Sequence, residues 1–409
     1  MKRSDKNASE LNEYIEHERY KISFILMLMI TTFLILIDNL YNHQITQLSI
    51  ALTIKLQKFD LYYISLFFDY FIYGLMYLYV LGVYIIRKNQ ESNFSLIFGT
   101  FFLMYVSAIL KLIMVGNRPF FINNKLNEDF CICDYGKPSA HSIIGLGTTM
   151  LIYTDLIHNN NISKYKTIIM KIFIVLIQFG VLLSRLYLGA HTINHMILGW
   201  CVGLTVFFGL RRINDYMQKY IIWPIFYKDR FQNKPAIFHL LFHMTWTNYL
   251  VFWLWSYRYT KFDVKENSYF NFDNCKICIA DIGHNFSVNV VRDALWFNIF
   301  FGMMLGVYIS KTTRFTYAGL YDEGEFKLFI CRVSIFLLCI SPLILAYYPI
   351  IDIVIITFLR MILFCVFIGM FSTSVFYSLL EGIGLPIRML HNSNISIISD
   401  FIDGFDIKN

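Results

Sequence analysis

The chain has 409 residues, of which 57% are apolar and 18% aromatic, while only 15% carry charge. A mean hydropathy of +0.53 excludes a soluble globular enzyme and points to a chain solvated largely by lipid. The formal net charge of +7 is modest; in so apolar a chain the basic residues read as topology signals, and they give no ground for a nucleic-acid partner.

Residues 1–21 are highly charged and hold no apolar run. They read as a cytosolic N-terminal tail rather than a cleavable signal peptide, with the first span as a retained targeting signal. Ten apolar stretches follow, at about 22–41, 61–86, 94–115, 141–158, 167–188, 191–211, 236–257, 289–310, 328–348 and 350–380. Each is long enough to cross roughly 30 Å of hydrocarbon at about 1.5 Å per helical residue. The expected class is therefore all-α, a polytopic membrane protein with about ten transmembrane helices. The first six spans form a core at 22–211, followed by a basic cytosolic loop at 212–235, additional spans at 236–380 and a C-terminal tail at 381–409. Arg332 and Arg360 interrupt the last two spans and only Pro349 marks a turn between them, so nine spans is the alternative count.

With the N-terminus cytosolic, the Lys/Arg bias falls on one side: Arg87 and Lys88, Lys164 and Lys166, the stretch from Arg211 to Lys234, then Lys311, Arg314 and Lys327. Among the eight cysteines, Cys131 and Cys133, and Cys275 and Cys278, fall in loops expected outside the cytosol. There a bridge between the loops and free thiols are both open. Asn285-Phe-Ser is a glycosylation sequon on that same face.

Charges inside spans at Asp69, Lys171, Arg332 and Arg360 read as interhelical pairs or snorkelling ends; the rival, a transporter pathway, would show a repeat between the two halves, and none is visible. His239 and His243, like His191 and His195, form an HxxxH pair. Such pairs raise a membrane di-iron oxidase as a distant alternative. That site needs many more ligands, and the ten histidines include no adjacent pair.

The chemistry concentrates in three short blocks, each at the end of an apolar stretch: Lys111 to Pro119 with six residues between Lys111 and Arg118, then Pro138-Ser139-Ala140-His141, then Ser184-Arg185 with His191 and His195. Arginine and histidine are expensive in hydrocarbon and mark a functional site. Lys111 and Arg118, seven residues apart, are expected to face the same way along one helix that Pro119 ends. Pro138-Ser139 reads as a helix start.

In order and spacing the three blocks resemble the type 2 phosphatidic acid phosphatase superfamily, whose pattern is K-x6-RP, PSGH and SR-x5-H-x3-D. The resemblance spans about 22–211 and departs twice: Ala140 replaces glycine, and His195 stands where aspartate is usual. It implies a membrane-bound, metal-independent phosphomonoesterase with no cofactor, acting through a phosphohistidine. Carried to the matching positions, His191 is the nucleophile and His141 the general acid and base, while Lys111, Arg118, Ser139 and Arg185 bind phosphate. Doubly charged phosphate needs such donors, and imidazole can attack when neutral and donate when protonated. The usual aspartate accepts a hydrogen bond from the nucleophile's other nitrogen. Here His195, through an unprotonated nitrogen, or Asn194, through its amide oxygen, would take that place.

SRLYLGAHT is most similar to the sphingosine-1-phosphate phosphatase branch, and Asp293-Ala-Leu-Trp-Phe297 leading to Gly302 and Gly306 is faintly similar to it. The missing aspartate is shared with glucose-6-phosphatases and dolichyl-diphosphatases, which stay as alternatives beside a catalytically weak pseudoenzyme. The resemblance implies a lipid phosphate, such as a sphingoid-base 1-phosphate, as substrate, with membrane lipids around it. It also implies the endoplasmic reticulum membrane, with the site facing the lumen.

Overall fold

No proline or glycine interrupts the chain from Lys2 to Leu56, and it forms one helix, α1 (Lys2–Leu56). Its membrane-competent part, Glu18–Leu56, runs well past the apolar stretch 22–41, because the polar group Asp38, Asn39, Asn42 and His43 carries no helix breaker. Asp38 is buried against the rest of the bundle, whereas Asn39, Asn42 and His43 are exposed. The computed structural model describes residues 2–86, 90–123, 125–126, 134–159, 163–227, 234–261, 285–312, 330–331, 334–335, 354–375 and 379. Arg87, Lys88, Arg314, Lys327, Arg332, the four paired-loop cysteines (Cys131, Cys133, Cys275 and Cys278), most of the ninth expected span and the C-terminal tail lie outside the described residues.

The remaining elements are α2 (Tyr62–Ile86), α3 (Gln90–Met114), α4 (Pro119–Ile122), α5 (Ala140–Asn159), α6 (Lys164–Tyr187) and α7 (Ile193–Met217). A π-turn at Gln218–Ile222 leads into α8 (Trp223–Tyr227), then α9 (Lys234–Lys261), α10 (Asn285–Leu295), α11 (Asn298–Thr312) and α12 (Val354–Met370). Among the described residues there is no strand, and the protein is an all-α polytopic membrane protein. Among the described residues, six helical stretches are long and apolar enough to cross a bilayer: Glu18–Leu56, Tyr62–Val80, Asn93–Ile122, Lys164–Tyr187, Ile193–Arg211 and Asn289–Ile309. The last of these is broken at Trp296 and Phe297, between α10 and α11. α5 and α9 are expected spans outside that set. α5 carries His141, Thr148, Thr149 and Asp155, all buried inside the protein, so its mean apolarity is lowered by side chains that face protein.

α7 is the centre of the core, packed against α1 on one side and α5 on another. The α5 contact is set by Gly199 and Gly203, one turn apart. A Cβ at Gly199 would meet Ser142 Cβ at 2.6 Å and the Ser139 carbonyl at 2.8 Å; one at Gly203 would meet the Ile143 carbonyl at 2.8 Å. Small residues at this spacing let two membrane helices approach backbone to backbone. α1 is fixed to α7 by Thr31 and Thr205, whose hydroxyls lie 3.0 Å apart, and by the Ser49 hydroxyl, which accepts from Ile193 N at 3.1 Å. Of the four span charges, Asp69 is buried. Lys171 is exposed on the apolar outer face of α6, so it is not a buried charge, and Arg360 is half-buried in α12 with a partner of its own.

Gly203→Leu is expected to destabilise the protein by about 1–3 kcal/mol through overpacking and to lower the melting temperature in detergent. Gly74→Leu, where an added Cβ meets nothing within 4 Å, is the control and should leave the melting temperature within about a degree of wild type.

Candidate active site

The three sequence blocks converge because each sits at a helix end on the same side of the core. α3 does not carry Lys111 and Arg118 on one face as the spacing suggests. It stops at Met114, and Val115 turns the chain with φ +43°, a rare and strained conformation for a β-branched residue. Pro119 does not end α3 but opens α4 at its first position, where its missing N–H costs nothing. This kink folds Arg118 back beside Lys111, and both meet one carboxylate. Lys111 Nζ lies 2.5 Å from Asp134 Oδ2, Arg118 Nη2 pairs with Asp134 Oδ1, and Arg118 Nε donates to the Asp134 carbonyl at 3.0 Å. Burial alone would raise the Asp134 carboxyl, but the charges of Arg118 and Lys111 outweigh it and hold the group below the usual carboxylate range. The pair's contribution to stability is complete above about pH 4 and is lost as pH falls through that lowered value.

α6 ends in a left-handed glycine, Gly189 at φ +62°, whose N–H returns to the Leu186 carbonyl at 2.9 Å. The turn delivers His191 into the site two residues later. Its Nδ1 contacts the Gly136 carbonyl oxygen at 2.7 Å, and its Nε2 lies 3.3 Å from Arg118 Nη1. The carbonyl can only accept, so Nδ1 carries the proton and Nε2 the lone pair. His195 does not occupy the place of the usual aspartate. Its ring centroid is 6.1 Å from that of His191, and its Nδ1 is buried without a hydrogen bond. Asn194 is turned away as well, donating to Asp38 Oδ1 and, at 3.0 Å, to Asn42 Oδ1; Lys137 closes the same cluster by pairing with Asp38. A backbone carbonyl has taken the position expected of a side chain, because the Gly136 loop is itself held at the site by a 2.7 Å bond from Gly136 N to the Gly116 carbonyl.

On α5, Ser139 caps the helix, accepting from Ser142 N at 3.4 Å, while its own N–H donates to the His195 carbonyl at 3.1 Å. His141 Nε2 is 2.9 Å from Asp69 Oδ1, and the same oxygen is in ion-pair contact with Arg185. Neither contact has hydrogen-bond geometry, and the three guanidinium nitrogens of the fully buried Arg185 are without hydrogen bonds. Arg185 is thus charge-paired with Asp69 without being hydrogen-bonded to it. The Tyr73 ring stands edge-on to His141 at 4.6 Å.

Lys111, Arg118, His141 and His191 all line one cavity of about 280 Å3, joined by Asp69 and Asp134. Arg185 meets the lining residue Asp69, while Arg185 itself, Ser139 and His195 do not line the cavity. Asp134 and the Gly136 carbonyl escape a reading by residue pattern because neither belongs to the three blocks. Asp69 carried a signal, a lone carboxylate in an apolar span, but nothing local tied it to His141. His239 and His243 lie elsewhere, both against the Tyr216 hydroxyl at 3.1 and 3.3 Å. No group of three or more His, Cys, Asp or Glu among the described residues could hold a metal ion.

The chain is similar to the PAP2 superfamily, whose family model matches residues 93–219. No curated protein and no solved structure matches the chain. The matched region runs from the start of α3 through α7 and contains all three blocks, and it supports a phosphatase-type hydrolase set in a membrane.

Two substitutions test the geometry. Asp134→Asn leaves two buried cations uncompensated and should cost about 3–5 kcal/mol, and inorganic phosphate should then raise the melting temperature of the variant more than that of wild type. An equal rise would mean that phosphate does not take the place of the carboxylate. His195→Gln should keep activity within about threefold of wild type, or roughly 0.7 kcal/mol; a loss of a hundredfold would give His195 a direct role.

Proposed function

We propose that the protein is an integral-membrane phosphatase that hydrolyses a long-chain lipid phosphomonoester through a phosphohistidine at His191. The observation that carries this reading is the contact of His191 Nδ1 with the Gly136 carbonyl at 2.7 Å. It fixes the tautomer whose free electron pair, on Nε2, is directed to Arg118 and the cavity that also holds Lys111 and His141.

In this mechanism the phosphate takes the donors of Lys111 and Arg118, displacing the Asp134 carboxylate from them, with Arg185 as a further guanidinium. Three cations stabilise the charge spread over the equatorial oxygens. The Nε2 electron pair attacks phosphorus, the bond from phosphorus to the ester oxygen breaks, and His141 gives its proton to the departing alkoxide. Water then attacks the phosphohistidine, giving its proton to His141. The phosphorus–nitrogen bond breaks, its electron pair returns to Nε2, and inorganic phosphate leaves. The charge needed at each step comes from side chains, so the reaction is metal-independent. Asp69 acts by holding His141 and Arg185 together.

A membrane-embedded site at the helix ends suits a lipid whose phosphate lies at the headgroup level. The Lys/Arg distribution favours the non-cytosolic face, and the resemblance of the third block favours the lumen of the endoplasmic reticulum.

Purified protein in detergent should release phosphate from a long-chain lipid phosphate in the presence of chelator, with His191→Ala reducing the rate by at least 10⁴-fold, about 5.4 kcal/mol. Rapid acid-free quenching with radiolabelled phosphate should trap label on His191. Release that persists in His191→Ala, or that chelator stops, would overturn the mechanism.

A further inference from the structure

The cavity that holds the histidines is not built by the matched core alone. α10, some seventy residues beyond its end, lays Asn289, Arg292 and Asp293 along the cavity wall. Their spacing of three and four places them on one helix face. The opposite residues Val290, Val291, Ala294 and Leu295 are buried in the protein, with α10 packed against α3. One face of this helix is therefore structural and the other is turned to the substrate space.

Asp293 is the carboxylate in the cavity that stands apart. Asp134 is matched by Lys111 and Arg118, and Asp69 by Arg185. Asp293 enters no hydrogen bond or ion pair among the described residues and is half-buried. An anion in a site for dianionic phosphate raises the cost of binding unless the ligand brings a positive charge with it, since two like charges in a partly desolvated space repel by several kcal/mol at an effective dielectric near 20. A sugar phosphate or a diacylglycerol phosphate brings none. A phosphate ester of an amino alcohol carries its ammonium two or three bonds from the phosphate, within the span of one small cavity.

We infer that Asp293 is the specificity residue of this site, pairing with an ammonium on the leaving group and selecting long-chain amino-alcohol phosphates over uncharged lipid phosphates. The inference rests on the proposed phosphatase reading and adds to it a role for the region outside the matched core. Asp293 contributes attraction for the amino substrate and repulsion against substrates that cannot neutralise it.

The test compares three substrates of one chain length: a 2-amino-alcohol 1-phosphate, its N-acetyl derivative, and the corresponding 1,2-diol phosphate. Wild type should show kcat/KM at least tenfold higher for the amine than for either neutral analogue. Asp293→Asn should collapse that ratio towards one, lowering kcat/KM for the amine and raising it for the neutral substrates, and Asp293→Glu should retain most of it. A wild-type ratio near one, or an Asp293→Asn variant slowed equally on all three, overturns the inference even if the phosphatase activity stands; the wild-type ratio decides the matter should the variant fail to fold. Binding is read separately, from the melting-temperature rise that each compound produces in His191→Ala. A larger rise with the amine that vanishes in His191→Ala/Asp293→Asn supports ammonium recognition even if wild type releases no phosphate and the phosphatase reading falls. Equal rises overturn it.

Discussion

The structure depends on placing fixed positive charge inside an apolar bundle. Lys111, Arg118 and Arg185 are all buried, and a buried cation without a partner would cost several kcal/mol. The fold meets this by bringing a carboxylate to each: Asp134 to Lys111 and Arg118, and Asp69 to Arg185. Each pairing also determines backbone path. The Asp134 bridge pulls the loop before α5 across the end of α3, which brings Gly136 against Gly116 and its carbonyl against His191. The tautomer of His191 thus follows from where a loop must go to neutralise two cations.

Much of this was legible in the sequence, and the part that was not has a common cause. The three blocks located Lys111, Arg118, His141, Arg185 and His191, because ionisable residues at the ends of apolar runs are costly and stand out; Arg292, in the cavity wall, lies outside them. The helices of the core were visible for the same reason. What could not be read was which atoms would face one another. Seven-residue spacing suggested that Lys111 and Arg118 share a helix face, whereas Val115 breaks the helix and the two meet through a kink. His195 and Asn194 were the side chains nearest in sequence to the missing aspartate. The accepting oxygen instead belongs to a backbone carbonyl some fifty-five residues away, and a main-chain acceptor leaves no trace in residue identity. For Lys171 an interhelical pair and a snorkelling end were both open, because hydropathy does not distinguish the lipid face of a helix from its protein face, and α6 turns it outward.

The counter-charges divide by origin. The matched region, 93–219, carries the three cations, the histidines and Asp134. Asp38 comes from α1, Asp69 from α2 and Asp293 from α10, all outside it. Asp38 steadies Lys137 and Asn194 behind the site, Asp69 joins Arg185 to His141, and Asp293 enters the cavity from the far wall. The cationic centre is thereby framed by carboxylates that three further helices bring to it.

Replacement of the aspartate by a carbonyl has an electrostatic consequence. A carboxylate beside the nucleophile would both orient its ring and offset the positive charge that forms when Nε2 bonds to phosphorus. The Gly136 carbonyl can orient the ring by accepting from Nδ1, but it brings a dipole rather than a full negative charge. Under the proposed mechanism the charge of the phosphohistidine must then be balanced elsewhere. The phosphoryl oxygens remain held by cations, so the balance falls to carboxylates already at the site. Asp134 is the nearest in this sense, since arrival of phosphate displaces it from Lys111 and Arg118 while its loop keeps it beside them. Under that mechanism Asp134, paired with Lys111 and Arg118, is also the group available to offset the charge on His191 once phosphate is bound, and the usual aspartate can be absent without leaving the imidazolium uncompensated.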